Sequence, residues 1–406
     1  MKIIAGNSFL KKEKDCVFID LVPINEILSL SETPIMIFLE NRIKENIRTF
    51  CDTFKSIFPN FEGFYSFKAN YLPEICSIIK NEGLGAELIG LPELNLALSL
   101  GFKGEKLIVG GPYLPNNLIE KCIMEHIKEI IVYNLDDLNR INEMAKLHNK
   151  VQYVCLRIRS NKYASKLGIV YNVNNMNLLN KLLSKCNNIK VTSILSHFTT
   201  QMNNFQQYHE NLMTLIKFHK NLKDNNVTID NINLGGGFPE ASIMQKDQLQ
   251  IIAEKIRTNL EAFNITFKSI YFEPGRYIVG DSGLFITTIL NQTLDRWIFI
   301  DLGNNICPKF AKCSLRFYNI SRINEPHKFK TSIAGIVPTD QDVLAKNYFF
   351  TKDLINNDKV MVLNVGAYCL TFSNRFPYRL PRIFLINGRK ITKIFDQNIQ
   401  TDFFIK

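Results

Sequence analysis

Short apolar segments alternate with longer stretches of helical periodicity from about residue 35 to residue 275. β-Branched and aromatic runs predict buried strands, and apolar residues that recur every three or four positions predict the helices between them. The sequence predicts eight such strands, preceded by a further apolar segment at Pro34–Leu39. The strands are Gly63–Phe67, Gly85–Ile89, Lys106–Val109, Glu129–Tyr133, Tyr153–Arg159, Val191–His197, Asn231–Leu234 and Ser269–Glu273. Eight repeated βα units predict a closed (β/α)8 barrel.

The pattern changes after Gly275, where β-rich segments follow with few helical stretches. The strands predicted there are Leu284–Leu290, Arg296–Leu302, Phe329–Val337, Lys359–Val365 and Arg382–Leu385. We therefore expect an α/β fold in which a (β/α)8 barrel is followed by a mostly β C-terminal domain.

Length and composition restrict the class of protein. The chain has 406 residues, of which 46% are apolar and 21% charged, as expected for a globular protein with a sizeable core. No apolar stretch approaches the roughly 20 residues of a membrane span, and the N-terminus lacks the apolar core of a secretion signal. We expect a cytoplasmic protein with no membrane partner.

Charge and cysteine content exclude further classes. The net charge of +11 comes from dispersed basic residues mixed with acidic ones, so we expect no nucleic-acid partner and at most a preference for anionic ligands. The nine cysteines form no C-x-x-C pair, which predicts reduced thiols and neither a disulfide framework nor a metal site.

The carboxyl ends of the predicted strands carry chemically distinctive residues: Lys68, Glu87, Gly110-Gly111, Asn134, Arg157, His197, Gly235-Gly236-Gly237 and Glu273. Active sites of (β/α)8 barrels are assembled at these ends. Lys68 follows an aromatic run, where desolvation would lower the pKa of its amine and make it a nucleophile toward carbonyl carbon. The alternative is a surface lysine whose stem packs along the strand end.

Five motifs in order resemble the pyridoxal-phosphate-dependent decarboxylases of the alanine-racemase-like fold (fold type III), such as diaminopimelate and ornithine decarboxylases. They are Lys68, His197, Gly235-Gly236-Gly237, Glu273-Pro274-Gly275-Arg276 and Gly366-Ala367-Tyr368. The resemblance covers nearly the whole chain. It implies a barrel at 31–277, and a β-rich domain of residues 1–30 and 278–406 that completes the active site of the partner subunit in a homodimer.

The resemblance also implies pyridoxal 5'-phosphate as the cofactor. Lys68 would form the Schiff base with the cofactor aldehyde, and Glu273 would pair with the pyridine nitrogen and make the ring a strong electron sink. The phosphate would be bound by Gly235, Gly236, Gly237, Gly275 and Arg276, and the cofactor-binding residue Thr200 would contact either the phosphate or the substrate. Two plainer interpretations stay open: a strand-end acid paired with a nearby base for Glu273, and an ordinary turn for the triple glycine.

His197 is similar to the histidine that stacks on the cofactor ring, although a histidine at a strand end is more often a core residue. Arg157 would be either a hydrogen-bond donor beside the ring or the partner of a buried salt bridge. Tyr368 would contact either the phosphate or the substrate.

One departure concerns the proton that must reach the α-carbon after carbon dioxide leaves. The family usually supplies it from a cysteine of the partner subunit, in a position that Pro338 occupies here. Thr339, Asp340, a water molecule or Tyr368 would have to replace that acid, and we name Thr339 as catalytic. Asp342 fits the family pattern and is predicted to bind substrate.

The substrate itself is less well specified by the sequence. Lys309 stands where diaminopimelate enzymes carry an arginine for the distal group of the substrate, and we predict that it binds substrate. The substrate would be a diaminopimelate- or ornithine-like amino acid, or a larger or carrier-linked one, with a carrier protein as a further partner. The alternatives are an amino-acid racemase or epimerase and an inactive relative that acts as a binding protein.

Overall fold

The computed structural model describes residues 1–160, 165–308 and 314–399, which fall into two compact units. The barrel unit comprises Ile47–Pro239 and Met244–Gly275. The β unit comprises Met1–Asn46, Glu240–Ile243 and the described residues from Arg276 on. The predicted domain boundaries stay a prediction, because a division by contacts does not test which segments fold independently.

The strands in chain order are β1 (Lys2–Ile4), β2 (Asn7–Glu13), β3 (Cys16–Ile19), β4 (Val22–Pro23), β5 (Ile35–Leu39), β6 (Phe61–Ser66), β7 (Gly85–Leu88), β8 (Leu107–Gly110), β9 (Glu129–Val132), β10 (Gln152–Arg159), β11 (Ile169–Val170), β12 (Ile189–Leu195), β13 (Asn231–Asn233), β14 (Ser269–Phe272), β15 (Gly283–Gln292), β16 (Trp297–Ile300), β17 (Arg316–Asn319), β18 (Phe329–Ala334), β19 (Val343–Phe350), β20 (Lys359–Leu363), β21 (Arg382–Asn387) and β22 (Lys390–Phe395).

The α-helices are α1 (Ile24–Leu30), α2 (Glu40–Ile57), α3 (Pro73–Asn81), α4 (Leu91–Ser99), α5 (Asn116–Met124), α6 (Asp136–Leu147), α7 (Val173–Leu183), α8 (Phe205–Asp224), α9 (Lys246–Ala262), α10 (Arg276–Val279) and α11 (Cys369–Phe372). Among the described residues, no helix combines the length and the apolar character that crossing a membrane requires.

Eight parallel strands of the described residues close the barrel in the order β6-β7-β8-β9-β10-β12-β13-β14, since β14 also pairs with β6. Each predicted barrel strand begins and ends within two residues of an observed one. The barrel interior contains a cluster of apolar side chains from six of these strands: Phe64, Ile108, Ile131, Cys155, Leu195 and Tyr271. Because this layer is packed, polar chemistry is left to the ends of the strands.

The β unit contains two sheets. Strands β1 to β4 form an antiparallel sheet in sequence order. In the larger sheet, β5 pairs antiparallel with β15 and parallel with β21. The apolar segment predicted ahead of the barrel strands is thus a strand of the β unit. The predicted fold class, a (β/α)8 barrel with a mostly β C-terminal domain, is confirmed.

Candidate active site

Lys68 lies in a short 3-10 turn, Phe67–Ala69, directly after β6. Its Nζ donates a 2.9 Å hydrogen bond to Oε2 of Glu87, a carboxylate in β7 that is only 2% exposed and also accepts from the Ser66 hydroxyl. The Lys68 side chain is 39% exposed. The expectation of a desolvated amine is therefore wrong: the turn carries the amine out of the apolar strand, where a buried carboxylate holds it within reach of solvent.

Glu273 directly follows β14 and is 7% exposed. One carboxylate oxygen accepts from the side-chain amide of Asn233 at 2.8 Å, and its backbone N–H donates to the carbonyl of Gly235 at 2.8 Å. Burial, followed by the negative charge of Glu87, raises the pKa of this carboxyl group. Lys68 and Arg157 oppose that shift, so the three strand-end charges act on one another across the barrel mouth.

His197 and Arg157 are joined at the ends of β12 and β10. One Arg157 nitrogen donates to the His197 carbonyl at 2.9 Å, and the other donates to the Tyr133 hydroxyl at 2.7 Å. Burial, with the positive charges of Arg157 and Lys68, lowers the pKa of His197 to about 3. The ring is therefore neutral at pH 7, and its Nδ1 has no hydrogen-bond partner among the described residues.

The two interpretations of Arg157 can be compared with these contacts. Among the described residues no carboxylate forms an ion pair with Arg157; its bonds go to a phenol and a carbonyl. A buried salt bridge is thus not observed in this part of the chain, and the guanidinium is directed along the mouth of the barrel.

The triple glycine forms a cradle into which no side chain fits. Gly235 and Gly237 have φ angles of +67° and +85°, which L side chains rarely adopt. A Cβ on Gly235 would lie 2.6 Å from the Cβ of His197, and one on Gly237 would lie 2.8 Å from the carbonyl oxygen of Thr199. A Cβ on Gly236 would overlap the carbonyl oxygen of Glu273. The three glycines are therefore required by close packing, because a side chain at any of them would collide with neighbouring protein atoms.

Within the β unit, Arg276 begins α10 and is 2% exposed. It forms a 3.2 Å ion pair with the buried Glu240, and its guanidinium carbon lies 4.9 Å from the ring centroid of Tyr368. Tyr368 has a φ of +68°, which is uncommon for a residue with a side chain. Two of the predicted phosphate ligands therefore contact each other.

The remaining predicted site residues lie in loops. Thr200 is partly buried in the segment between β12 and α8, and Gly275 is buried just before α10. Thr339 and Pro338 are exposed in the turn between β18 and β19. Lys309 lies outside the described residues.

Asp342 was predicted to bind substrate, but its side chain is buried within its own loop. It is 3% exposed, and its two oxygens accept backbone N–H bonds from Asn304 at 2.6 Å and from Val337 at 2.7 Å. Its substrate-binding role stays a prediction. The observed contacts show that Asp342 shapes the turn that carries Thr339.

Three residues of the barrel mouth have no assigned role in the sequence prediction: Glu87, Tyr133 and Asn233. The sequence places Glu87 at a strand end beside the strand of Lys68, but it shows no contact that would give Glu87 a role. Tyr133 ends its predicted strand and Asn233 is the last residue but one of its own, and which way such a side chain points depends on a register that the sequence does not show.

Residues 44–280, more than half of the chain, match the pyridoxal binding domain of the pyridoxal-dependent decarboxylases. The chain belongs to this family. It is 24% identical to the diaminopimelate decarboxylase of Methanocaldococcus jannaschii, over 100% of this chain and 98% of the relative. It is 27% identical to the L-glutamyl-[BtrI acyl-carrier protein] decarboxylase of Niallia circulans, over 78% of this chain and 80% of the relative. A crystal structure of the M. jannaschii enzyme superposes with a TM-score of 0.87 at 23% identity, covering 97% of this chain and 96% of that one.

Membership in the pyridoxal-dependent decarboxylases confirms pyridoxal phosphate as the cofactor and amino-acid decarboxylation as the reaction. The relatives give the racemase alternative no support. The barrel mouth fits the cofactor: Lys68 offers an amine within reach of solvent, the triple glycine supplies main chain without side chains, and His197 presents a neutral ring whose Nδ1 has no hydrogen-bond partner among the described residues.

Proposed function

We propose that the chain decarboxylates an amino acid at the mouth of the barrel, and that Lys68 is the residue to which the cofactor is covalently attached. The observation that carries this proposal is the pairing of the accessible Lys68 amine with the buried Glu87 carboxylate, next to Glu273 and His197. When bound, pyridoxal phosphate supplies an electron sink for the electron pair left by the departing carboxylate.

Glu273 is the residue that we assign to the pyridine nitrogen. Its buried carboxyl group has a raised pKa, so the site strongly favours a positive partner that would allow the group to ionise. The Asn233 amide fixes one oxygen and leaves the other for the ligand. His197 adds a neutral ring, which can stack on an aromatic cofactor without repelling its positive nitrogen.

The phosphate is assigned to the backbone of Gly235, Gly236 and Gly237, where no side chain separates the main chain from an anion. Arg276 follows Gly275 directly in the chain and adds a planar cation that suits phosphate oxygens. Tyr368 contacts the Arg276 guanidinium through its ring, and Thr200 adds a hydroxyl from the loop before α8. The resemblance to the family supports these four assignments.

The proton for the α-carbon is assigned to Thr339 or to a water that it orients. Pro338 has no proton to give, and Thr339 is the next residue in an exposed turn. Its hydroxyl accepts from the Gln341 N–H at 3.3 Å, which leaves the hydroxyl hydrogen free to be donated. Because a threonine hydroxyl is a weak acid, positioning a water molecule is the more effective role for it.

The substrate class that we propose is a diaminopimelate- or ornithine-like amino acid, or a larger carrier-linked one. Relatives named diaminopimelate decarboxylase support the first class. The relative named for a glutamyl group on an acyl-carrier protein supports the second and with it a carrier protein as partner. Thr339 lines a groove of about 570 Å³ in the β unit, together with the amides Asn305, Gln341 and Asn374 and the carboxylate Asp342. This polar lining suits a distal group that carries hydrogen-bond donors.

The test is a panel of free amino acids and aminoacyl carrier proteins, scored for carbon dioxide release and for exchange of the α-proton. Carbon dioxide from at least one substrate, absent with Lys68→Ala, is the expected result. Exchange without carbon dioxide from any substrate would favour racemisation, and neither signal in a protein that binds the cofactor would point to a binding protein.

A further inference from the structure

Tyr133 follows β9 and packs with its ring against the inner apolar layer of the barrel. The Arg157 guanidinium carbon lies 4.7 Å from the centroid of this ring, and Arg157 also donates to the hydroxyl at 2.7 Å. The same guanidinium is fixed at its other nitrogen by the His197 carbonyl at 2.9 Å. Arg157 and Tyr133 are thus one rigid pair at the mouth of the barrel.

The Tyr133 hydroxyl accepts one hydrogen bond and has its own hydrogen left to donate. Its oxygen accepts from Arg157, but its own hydrogen has no acceptor among the described residues. A phenol that accepts from a cation becomes a stronger donor, because hydrogen bonds in a chain polarise one another. The Tyr133 hydroxyl is therefore a neutral hydrogen-bond donor that the adjacent positive charge of Arg157 makes stronger.

The Tyr133 hydroxyl belongs to the group of charged and polar residues at the mouth of the barrel. Burial raises the pKa of Tyr133, so the phenol keeps its proton at neutral pH, and the charges of Arg157, Glu87, Lys68 and Glu273 all act on it. Tyr133 follows the carboxyl end of β9, and the turn that carries Lys68 follows the carboxyl end of β6, so both residues belong to the same mouth of the barrel.

We propose that the Tyr133 hydroxyl, held by Arg157, donates a hydrogen bond to the ring oxygen of bound pyridoxal phosphate. The inference rests on the proposed function, because it requires the cofactor to be attached at Lys68. Tyr133 would thus be an additional residue that positions the cofactor, and it would do so through a neutral hydrogen-bond donor.

An anionic oxygen suits this donor, and the substrate carboxylate would be a second source of one. Decarboxylation converts that carboxylate to neutral carbon dioxide, so a donor backed by a cation would stabilise the substrate more than the transition state and slow the reaction. The ring oxygen of pyridoxal phosphate would take no part in the bond that breaks, so a donor to it would not favour the substrate over the transition state in this way. The chemistry of the reaction therefore assigns the donor to the cofactor.

The test compares Tyr133→Phe with Tyr271→Phe. Both remove one hydroxyl from a ring packed against the same inner layer, but Tyr271 lies in the middle of its strand, with the Lys128 ammonium 5.2 Å from its ring centroid. Pyridoxal phosphate is titrated into the cofactor-free protein and followed by its visible absorbance. Tyr133→Phe should bind about tenfold more weakly, as expected for one hydrogen bond to a charged group, and Tyr271→Phe should bind as the wild type.

The pH titration of the visible band is an independent readout. The donor stabilises the ring oxygen most when the proton shared with the Lys68 nitrogen has left, so removing the hydroxyl should move the midpoint to higher pH by about one unit. Arg157→Lys, which keeps the charge but loses the planar fork, should reproduce part of both effects, and its effects should not add to those of Tyr133→Phe.

Unchanged cofactor affinity and an unchanged midpoint in Tyr133→Phe would overturn the inference while leaving the proposed function standing. A change confined to the KM for the substrate would assign the hydroxyl to the carboxylate and would equally overturn it. A wild-type protein that takes up no cofactor would overturn both.

Discussion

His197 keeps its ring neutral because burial and the cations Arg157 and Lys68 lower its pKa to about 3. In the folded protein His197 therefore stays unprotonated at pH values somewhat below 6.5, where the same residue in the unfolded chain, with its ordinary pKa of 6.5, is protonated. The stability that follows from this is complete above pH 6.5 and is lost as the pH falls toward 3.

Replacing His197 should flatten this dependence. Between pH 6.5 and 4.5 the free energy of unfolding of the wild type should fall more steeply than that of His197→Asn, by up to about 1 kcal/mol per pH unit. Denaturant unfolding of the cofactor-free proteins measures both slopes. Parallel curves for wild type and His197→Asn would contradict the assignment of a depressed pKa to His197.

Glu273 and Glu129 offer a matched pair of buried carboxylates. Glu273 is 7% exposed and follows the end of its strand, whereas Glu129 is 2% exposed and begins its strand. Glu273→Gln should reduce kcat/KM about 100-fold or more, since a preorganised charge at the reacting centre is lost. Glu129→Gln should stay within about tenfold of wild type. Equal losses in steady-state assays would mean that Glu273 acts through the fold alone.

The carboxyl ends of the barrel strands place the functional residues of the site. β13 and β14 run side by side, and Gly236 passes so close to the Glu273 carbonyl that a Cβ would overlap it. The sequence could predict that chemistry gathers at these ends, because the carboxyl ends of parallel strands share one face of a barrel. It could not predict the Tyr133–Arg157 pair, which depends on register and side-chain direction.

Gly236→Ala should therefore damage both stability and cofactor binding. The loss of unfolding free energy should be about 1–3 kcal/mol, the usual cost of forcing extra volume into packed structure. Gly90→Ala is the control, because a Cβ there would meet Pro92 at an ordinary 3.6 Å. Thermal unfolding and cofactor titration measure the two effects. Wild-type behaviour of Gly236→Ala would show that the cradle has more room than the structure indicates.

At the level of the whole chain, the eight barrel strands were predictable because buried residues predominate in each of them. The short strands β1 to β4 and the partly exposed β17, β19 and β22 were not, since they lack such runs. The place of β5 beside β15 and β21 depends on pairing partners far away in sequence. The sequence identifies Asp342 as a residue of the family motif, but it does not show that two backbone N–H groups donate hydrogen bonds to the Asp342 carboxylate.

The proposed homodimer with shared sites has a direct genetic test. Lys68→Ala should be inactive alone, and Thr339→Val should be strongly impaired alone. If every site takes Lys68 from one subunit and Thr339 from the other, random re-association should restore up to about a quarter of wild-type activity, because half of the dimers then carry one intact site of two. Differently tagged subunits verify that mixed dimers form. Mixed dimers without recovered activity would refute sharing of the site.

The attachment of the cofactor to Lys68 is the central claim, and borohydride reduction tests it most directly. The holoenzyme is reduced, digested and mapped by tandem mass spectrometry. The pyridoxyl group should be found on the Nζ of Lys68, and Lys68→Ala should carry none. Stoichiometric labelling of a different lysine, or retention of the label in Lys68→Ala, would contradict the account.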